Sequence, residues 1–433
     1  MTEARKPVSL RVALGVVVAI VAVYVYFGPE ARPSDEGEVV WTDSEIAMIA
    51  TLSPLPELRA NSSNRVADES SAAEMGRRLF FDTRLSKDQT ISCSSCHDPS
   101  RYFTDGRRTA VGLQPVDRHS PTIIGSQWSR FFFWDGRKDS LWSQALAPLE
   151  AEAEMGTTRV AVLHVVFDHY RAEYEELFGP MPPLDDKQRF PQDARPVPQE
   201  PDHPHALAWQ SMQEKDREEV NRSFVNVGKC IEAYERKLLP REAPFDRYVA
   251  ALLAGDPKGG GHLSPSAVRG LRSFIGRAGC IGCHNGPLLM DGDFHNTGLP
   301  PSDPDGAKDR ARAQGAWQVL ADPFRSDGRY GDDQSRPNPD LIYLDPGFED
   351  LLGAYKTPPL RNIAETAPYG HAGQFATLDD VVEHYRRLPI ANFLGHRDLM
   401  LLPLDSSIST PNLVTFLQSL TGPLPPERWM NGL

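Results

Sequence analysis

The stretch Cys93-Ser-Ser-Cys96-His97 recurs later in the chain as Cys280-Ile-Gly-Cys283-His284, and this repeated pattern decides the fold. C-x-x-C-H is the attachment site of a c-type haem. The two thiols form thioethers with the porphyrin vinyl groups, and the adjacent histidine supplies the proximal iron ligand. A zinc knuckle or a redox disulfide also uses C-x-x-C pairs, but neither requires a histidine directly after the second cysteine. The sequence therefore predicts two covalently bound haem c groups, with His97 and His284 as iron ligands.

The composition is that of a soluble globular protein. Of the 433 residues, 40% are hydrophobic and 24% are charged, and the net charge is −13. This acidic balance argues against nucleic-acid binding, because surfaces that bind nucleic acid are basic. The 38 prolines predict long irregular connections. Cys230, the one cysteine outside the two motifs, lies in a helix-like stretch and is expected to be a small buried apolar residue.

The N-terminus has the pattern of a secretion signal or membrane anchor. Basic residues up to Arg11 precede an uncharged run from Val12 to Phe27. This run is long for the hydrophobic region of a signal peptide and short for a full span, and no clear cleavage site follows it, so cleavage stays open. The positive-inside rule sends the rest of the chain outward, to the side where bacteria attach c-type haem. We therefore expect a periplasmic protein, with residues 1–27 as signal or inner-membrane tether and the Pro-rich residues 28–42 as linker.

The remaining chain has the pattern of a weak repeat of one haem unit. Hydrophobic periodicity predicts helices over 71–81, 138–150, 158–178 and 215–238, and a Pro-rich surface loop over 181–204. Glycines between 254 and 262 indicate a boundary, after which Ser264 and Pro265 are suited to begin a helix that leads into the second motif. No strand pattern is convincing. We predict a mainly α fold, with cytochrome c-like haem domains over 43–253 and 263–425 and long irregular loops.

Several blocks around the two motifs resemble the bacterial dihaem cytochrome c peroxidase family, including its MauG and MbnH branches. In chain order they cover 76–86, 120–122, 133–137, 294–298, 356–362 and 366–373. The haem motifs alone are generic, whereas the Trp-Asp-Gly-Arg block at 134–137 and the Thr-Ala-Pro-Tyr block at 366–369 are specific in this order. The resemblance spans most of residues 70–425. It implies that the N-terminal haem is the peroxide site and that the C-terminal haem stores or relays electrons.

The resemblance also implies a set of residues around the peroxidatic haem, where His97 is the proximal ligand and ferryl iron forms. Counting from Trp134, the residues Gln144, Pro148 and Glu154 fall where the MauG branch has its distal Gln, Pro and Glu. Glu154 would move a proton between the peroxide oxygens, and Gln144 would donate a hydrogen bond. Without the resemblance, Glu154 is typical of a solvated acidic face and Trp134 of ordinary core packing. The family places Trp134 between the haems, where an indole can carry an oxidising equivalent.

At the C-terminal haem, the second iron ligand separates the branches of the family. Conventional peroxidases have Met there, whereas alignment from the Thr-Ala-Pro-Tyr block puts this position on Tyr385, as in MauG and MbnH. A phenolate is a hard anionic ligand and should lower the potential of the haem. The adjacent His384 competes for this role, and Met400 lies farther along the chain.

Two departures from the conventional pattern bear on activity. The loop over 98–118 contains no histidine, so the peroxidatic haem is predicted to be five-coordinate and active without prior reduction. Where the family has an Asn that helps to bind an inter-haem calcium, this chain has His119. Imidazole is a poor calcium ligand, so calcium binding stays open.

These features predict a periplasmic dihaem peroxidase that reduces hydrogen peroxide. Its electrons would come from a small cytochrome c or cupredoxin, or from a residue of a specific partner protein in a MauG-like maturation. Tyr385 and the missing loop histidine favour the second source. The alternative is a non-catalytic dihaem cytochrome that only transfers electrons. Replacement of Glu154 separates the two, because only an enzyme would lose peroxide turnover with its haem spectra intact.

Overall fold

A computed structural model describes residues 39–300, 309–335, 337–389 and 394–432. The predicted signal or anchor over 1–27 lies outside these ranges, and so does most of the predicted linker. Within them, no helix is both long and apolar enough to cross a bilayer. The described chain is mainly helical, as predicted, and both haem motifs belong to a compact unit that spans Trp41–Leu433.

Helices make up nearly all of the regular structure in these ranges. Their bounds are α1 Asp43–Ala50, α2 Ser70–Phe80, α3 Cys93–Cys96, α4 Leu141–Glu150, α5 Arg159–His169, α6 Arg171–Phe178, α7 Pro204–Ser211, α8 Glu214–Glu235, α9 Pro244–Leu253, α10 Pro265–Ile275, α11 Arg312–Ala321, α12 Pro339–Ile342, α13 Leu378–Arg387 and α14 Thr410–Gln418. Two short strands, β1 Phe294–His295 and β2 Tyr355–Lys356, pair antiparallel. The sequence does not predict this pair, because two residues are too few to show alternation.

The helix predicted over 158–178 is divided into α5 and α6. Tyr170 separates them with a φ of −136°, outside helical geometry. Its hydroxyl donates a hydrogen bond to Oδ2 of the buried Asp82 at 2.8 Å. This long-range contact fixes the kink, and periodicity along the chain cannot show it.

In the first half of the fold, α2 and α8 cross with their backbones almost in contact. A Cβ added to Gly76 of α2 would stand 1.8 Å from the carbonyl oxygen of Cys230 on α8. Only a residue without a Cβ permits this approach. Cys230 is fully buried beside Met75, which confirms the prediction of a small apolar residue. The crossing forms the centre of a large apolar core that also contains Trp142 of α4.

The second half repeats this arrangement with α10 and α14. A Cβ on Gly270 of α10 would stand 2.0 Å from the carbonyl oxygen of Asn412 on α14. The predicted start of α10 is confirmed: Ser264 is the N-cap, its hydroxyl accepts a hydrogen bond from the backbone N–H of Ala267, and Pro265 follows in the first turn. Each haem motif is therefore preceded by a helix that crosses a later helix at a glycine.

Segments from beyond the second motif complete the first core. Tyr330 and Trp429 are buried in it. The hydroxyl of Tyr234 on α8 donates to the carbonyl oxygen of Trp429 at 2.6 Å. The guanidinium of Arg77 on α2 donates to the carbonyl oxygen of Asn431, also at 2.6 Å. The chain thus returns to the first core after it has passed the second haem motif.

Candidate haem sites

The first C-x-x-C-H motif is held by hydrogen bonds on both sides of its histidine. Cys93–Cys96 form one turn of helix, capped by Ser92. Nδ1 of His97 lies 3.1 Å from the carbonyl oxygen of Phe103. A carbonyl only accepts, so Nδ1 carries the proton and Nε2 keeps its lone pair for a metal. The hydroxyl of Ser120 donates to the carbonyl oxygen of Cys96 at 2.7 Å and holds the motif from the other side.

Next to this motif is a partly open cavity. Its lining includes all the residues predicted for the first haem except Trp134, namely Cys93, Cys96, His97, Gln144, Pro148 and Glu154. What points to a bound prosthetic group is the set of side chains in this lining, two thiols and an imidazole beside a carboxyl and an amide. The structure therefore brings together residues that are up to about sixty positions apart in the sequence.

Glu154 is positioned by its backbone. Its carbonyl oxygen accepts a hydrogen bond from the N–H of Leu113 at 2.9 Å, and its own N–H donates to the carbonyl oxygen of Ala151 at 2.9 Å. Gly112 packs so closely that a Cβ there would stand 2.5 Å from the backbone of Glu154. The turn after α4 and the loop at Gly112 thus fix this carboxyl at the cavity wall.

Burial raises the pKa of Glu154, and the nearby positive charge of Arg137 opposes this with a smaller effect. A carboxyl with a raised pKa holds its proton at a pH where an exposed glutamate is ionised. Such a group can both accept and return a proton during a reaction. Gln144 contributes an amide to the same wall from α4.

The second motif repeats the histidine arrangement of the first. Nδ1 of His284 lies 2.9 Å from the carbonyl oxygen of Leu289, so Nε2 is again available to a metal. Leu289 has a φ of +53° and Phe103 a φ of +60°. In both sites a residue in the left-handed region turns its carbonyl towards the histidine.

The two candidates for the second ligand at this site have different surroundings. Nε2 of His384 lies 2.8 Å from the carbonyl oxygen of Thr297, so this nitrogen is already engaged by the backbone. Burial raises the pKa of Tyr385, and the sulfur atoms of Cys280 and Cys283 act on it in the same direction. Tyr385 therefore lies near both cysteines of the motif. The side chain of Met400, by contrast, is exposed.

Trp134 links the surroundings of the two motifs. Its indole N–H donates to the carbonyl oxygen of His119 at 2.9 Å, next to the Ser120 that binds the first motif. Its own carbonyl oxygen accepts a hydrogen bond from the N–H of Lys356 in β2, also at 2.9 Å. The imidazole of His119 is turned elsewhere, with Nδ1 2.9 Å from the carbonyl oxygen of Arg107.

Comparison with known proteins identifies the family. The sequence profile of the di-haem cytochrome c peroxidases matches residues 70–252. Cytochrome-c peroxidase IdrP2 of Denitromonas iodatirespirans is 32% identical to this chain over 387 residues, which cover 86% of each protein. The chain belongs to the di-haem cytochrome c peroxidase family. It is accordingly an enzyme of the cytochrome-c peroxidase type.

Other relatives extend the comparison to the MauG branch of this family. Methylamine utilization protein MauG of Methylorubrum extorquens is 28% identical over 72% of this chain and 67% of its own length. Among solved structures, a MauG-like protein associated with microbial copper homeostasis matches with a TM-score of 0.58 and 24% identity, covering 87% of this chain and 98% of that one. The diheme peroxidase BthA of Burkholderia thailandensis matches with a TM-score of 0.57 and 20% identity, over 84% of this chain and 87% of its own. These structures support the fold.

The residues present fit the two haem c groups that a di-haem peroxidase carries. At the first site, a cavity adjoins two thiols and an imidazole whose Nδ1 is held by the carbonyl of Phe103. At the second, Cys283 also lies near Asp291 and His295 in an arrangement that could hold another metal. A thiol in a thioether bond is not available as a thiolate ligand, so haem attachment excludes that use of Cys283.

One buried acid at the first site has no sequence signal. Glu235, on α8, lines the cavity and is 4% exposed. Burial and then the charge of Glu232 raise its pKa to about 8. Among the described residues, its Oε2 has no hydrogen-bond partner. In a sequence, a glutamate in a charged helix such as α8 is typical of a face exposed to solvent. Glu235 is buried instead because α8 crosses α2.

Proposed function

We propose that this chain is a periplasmic di-haem peroxidase in which the N-terminal site reduces hydrogen peroxide and the C-terminal site relays electrons. The observation that carries the proposal is the cavity shared by Cys93, Cys96, His97, Gln144 and Glu154. When bound there, haem supplies the redox-active iron that exchanges electrons with peroxide. The loop after the motif has no histidine to block this site, so the site is open in the resting protein.

The residues of the cavity divide the work of moving protons. Glu154 takes the proton from one peroxide oxygen and returns it to the other, which leaves as water. The Gln144 side-chain N–H donates a hydrogen bond to the oxygen on which charge develops. Pro148 lines the same wall, and because its ring has no N–H, the backbone carbonyl of Gln144 receives no helical hydrogen bond from position 148. His97 is held by Phe103 and serves as the proximal ligand.

At the C-terminal site, we assign Tyr385 as the second iron ligand. The support is the engagement of His384 with Thr297, which leaves Tyr385 as the side chain near Cys280 and Cys283. An anionic phenolate stabilises oxidised iron and closes the site to peroxide. Trp134 is then the connection for electrons between the sites. Its indole forms a hydrogen bond beside the first motif, and its backbone carbonyl forms one with β2.

The source of the electrons is either a small soluble protein or a residue of a partner protein. MauG is among the relatives, and Tyr385 and the open first site favour oxidation of a partner-protein residue. A small cytochrome c or cupredoxin donor is the second candidate, favoured by the cytochrome c551 peroxidase relative from Pseudomonas aeruginosa, which is 29% identical. The uncharged run at 12–27 would deliver the chain to the periplasm or tether it to the inner membrane.

Addition of hydrogen peroxide to the diferric holoprotein, without reductant, tests this proposal. We expect peroxide to be consumed at once and the Soret bands of both haems to change together. A requirement for prior reduction would contradict the open first site. A change confined to one haem would contradict the electron connection between the two.

A further inference from the structure

A buried tyrosine near Trp134 has an unusual set of partners. The hydroxyl of Tyr355 donates a hydrogen bond to Oδ2 of Asp309 at 2.8 Å. The other oxygen of Asp309 lies 2.6 Å from a guanidinium nitrogen of Arg118. The ring of Tyr355 stacks on the imidazole of His371, with centroids 3.6 Å apart and planes at 12°. Tyr355 is 9% exposed and His371 is 1% exposed, so solvent hardly reaches the stack.

This stack lies on a continuous path between the two haem motifs. On one side, the carbonyl oxygen of His371 accepts a hydrogen bond from the N–H of His119, whose neighbour Ser120 binds the first motif. On the other side, Tyr355 pairs with His295 across the two-stranded ladder. His295 in turn lies near Cys283 of the second motif. Tyr355 is therefore connected to both sites through few contacts.

The charges around the phenol suit the loss of an electron together with a proton. Burial raises the pKa of Tyr355, so the phenol keeps its proton at rest. Burial alone would raise the pKa of Asp309, but the hydrogen bond and charge of Arg118 outweigh it and lower the pKa to about 2. The phenol thus donates to an ionised carboxylate. Oxidation of a phenol makes it strongly acidic, and this carboxylate is in place to take the proton.

We propose that Tyr355 is a second redox-active residue, beside Trp134, that holds one of the oxidising equivalents produced by peroxide reduction. In this step Tyr355 gives up one electron and its O–H bond breaks, so that a neutral tyrosyl radical and protonated Asp309 form. Hydrogen peroxide takes two electrons and two protons to become two waters. The electron from Tyr355 replaces one of the two electrons that the enzyme has given up. An electron from the donor protein later restores the phenol, and Asp309 returns the proton. This inference rests on the proposed function, in which the N-terminal haem reduces peroxide and the C-terminal haem relays electrons.

The chain offers a matched control for this tyrosine. Tyr330 is also buried, its hydroxyl donates to Oε2 of Glu218 at 2.8 Å, and Arg329 pairs with that carboxylate at 2.9 Å. It has the same phenol–carboxylate–guanidinium arrangement but packs against Phe324 in the first core, away from the path between the motifs. Tyr355→Phe and Tyr330→Phe therefore remove equivalent hydrogen bonds at different places.

The experiment is freeze-quench electron paramagnetic resonance of the diferric holoenzyme after addition of hydrogen peroxide. Protein grown on ring-deuterated tyrosine identifies a tyrosyl signal by its narrowing. We expect the signal in the natural protein and in Tyr330→Phe, and its loss in Tyr355→Phe. Asp309→Asn keeps an acceptor for the phenol but cannot take its proton, so the signal should fall there although Tyr355 remains. Peroxide consumption and the Soret bands are followed in the same samples.

The outcomes separate this inference from the proposed function. A tyrosyl signal that survives in Tyr355→Phe, or that is lost equally in Tyr330→Phe, would overturn the assignment. Peroxide consumed by the natural protein without any tyrosyl signal would overturn it as well, and leave the proposed function standing. Absence of peroxide consumption would overturn both.

Discussion

The two haem sites are alike around the histidine of each C-x-x-C-H motif and differ in the other residues that surround the motif. In both, Nδ1 of the histidine lies near the carbonyl of a residue with positive φ, and a helix crosses a later helix at a glycine. The cavity that His97 lines also contains two acids of raised pKa, Glu154 and Glu235. Near the second motif lies the ring of Tyr385. In the proposed function, the shared part would hold each haem, and the part that differs would decide what that haem does.

The largest effect should follow from removal of the acid that distinguishes the first site. Glu154→Gln keeps the size and polarity of the side chain but cannot exchange a proton. We expect peroxide turnover to fall by roughly 10²- to 10⁴-fold, the usual contribution of a general acid–base group. Steady-state peroxide consumption and the haem absorption spectrum measure the change.

A neighbouring glutamate is the control for this substitution. The side chain of Glu152 is 57% exposed and pairs with Arg195. Glu152→Gln should leave turnover within about twofold of the natural protein, since Glu152 is not among the residues that line the cavity. Equal losses of turnover in both variants would show that the reaction does not depend on the carboxyl of Glu154 in particular. The two haem sites would then differ less than proposed.

Removal of Tyr385 should make the second site resemble the first. Tyr385→Phe removes the phenolate, and we expect the potential of the C-terminal haem to rise by on the order of 0.1 V, within the range that axial ligands control. Potentiometric titration followed at the Soret band measures this. His384→Gln is the control, because that imidazole binds the carbonyl of Thr297. A rise in the His384 variant alone would exchange the two assignments.

The second acid of the first site should make stability depend on pH. An unfolded glutamate titrates near 4.5, whereas Glu235 titrates at about 8 in the fold. Between these values the folded protein keeps a proton that the unfolded chain releases, so stability falls as pH rises, by up to roughly 1.4 kcal/mol per pH unit. In a chain of this size, that lowers the melting midpoint by about 2 °C per pH unit. Glu235→Gln should flatten this slope, as measured by melting at pH 6 and 7.

Glu219 is the control, because it lies on the same helix and pairs with Lys215 at the surface. Glu219→Gln should keep the slope of the natural protein. An unchanged slope in Glu235→Gln would mean that this carboxyl is ionised in the fold.

The smallest effect should come from the charge that moderates Glu154. Arg137 lowers the pKa of Glu154, so Arg137→Gln should raise it. Glu154 must lose its proton to act as a base, and the acid limb of the pH–rate profile should therefore move to higher pH. Arg137→Lys keeps the charge and should leave the limb in place. Identical shifts in both variants would point to the contact of Arg137 with Phe133 instead.

The sequence predicted the parts of these sites that depend on spacing. The two haem motifs have a fixed local pattern, and Glu154 is predicted from its distance to Trp134 in a resembling family. The start of α10 was predicted because a cap is local. Glu235, the pair of Tyr355 with Asp309 and the kink at Tyr170 were not predicted. Each of these depends on a partner that is brought close only by the crossing of helices or loops, and no periodicity along the chain carries that information.

The return of the chain to the first core has a consequence for the order of biosynthesis. Trp429 is buried in this core and accepts a hydrogen bond from Tyr234 of α8, and Asn431 accepts one from Arg77 of α2. During synthesis, the first core is therefore incomplete until residues 429–431 have emerged, long after Cys93 and Cys96. Its haem can be attached while the core is still unsealed, and a stop codon shortly before Trp429 should damage the distant first haem more than the nearby second one.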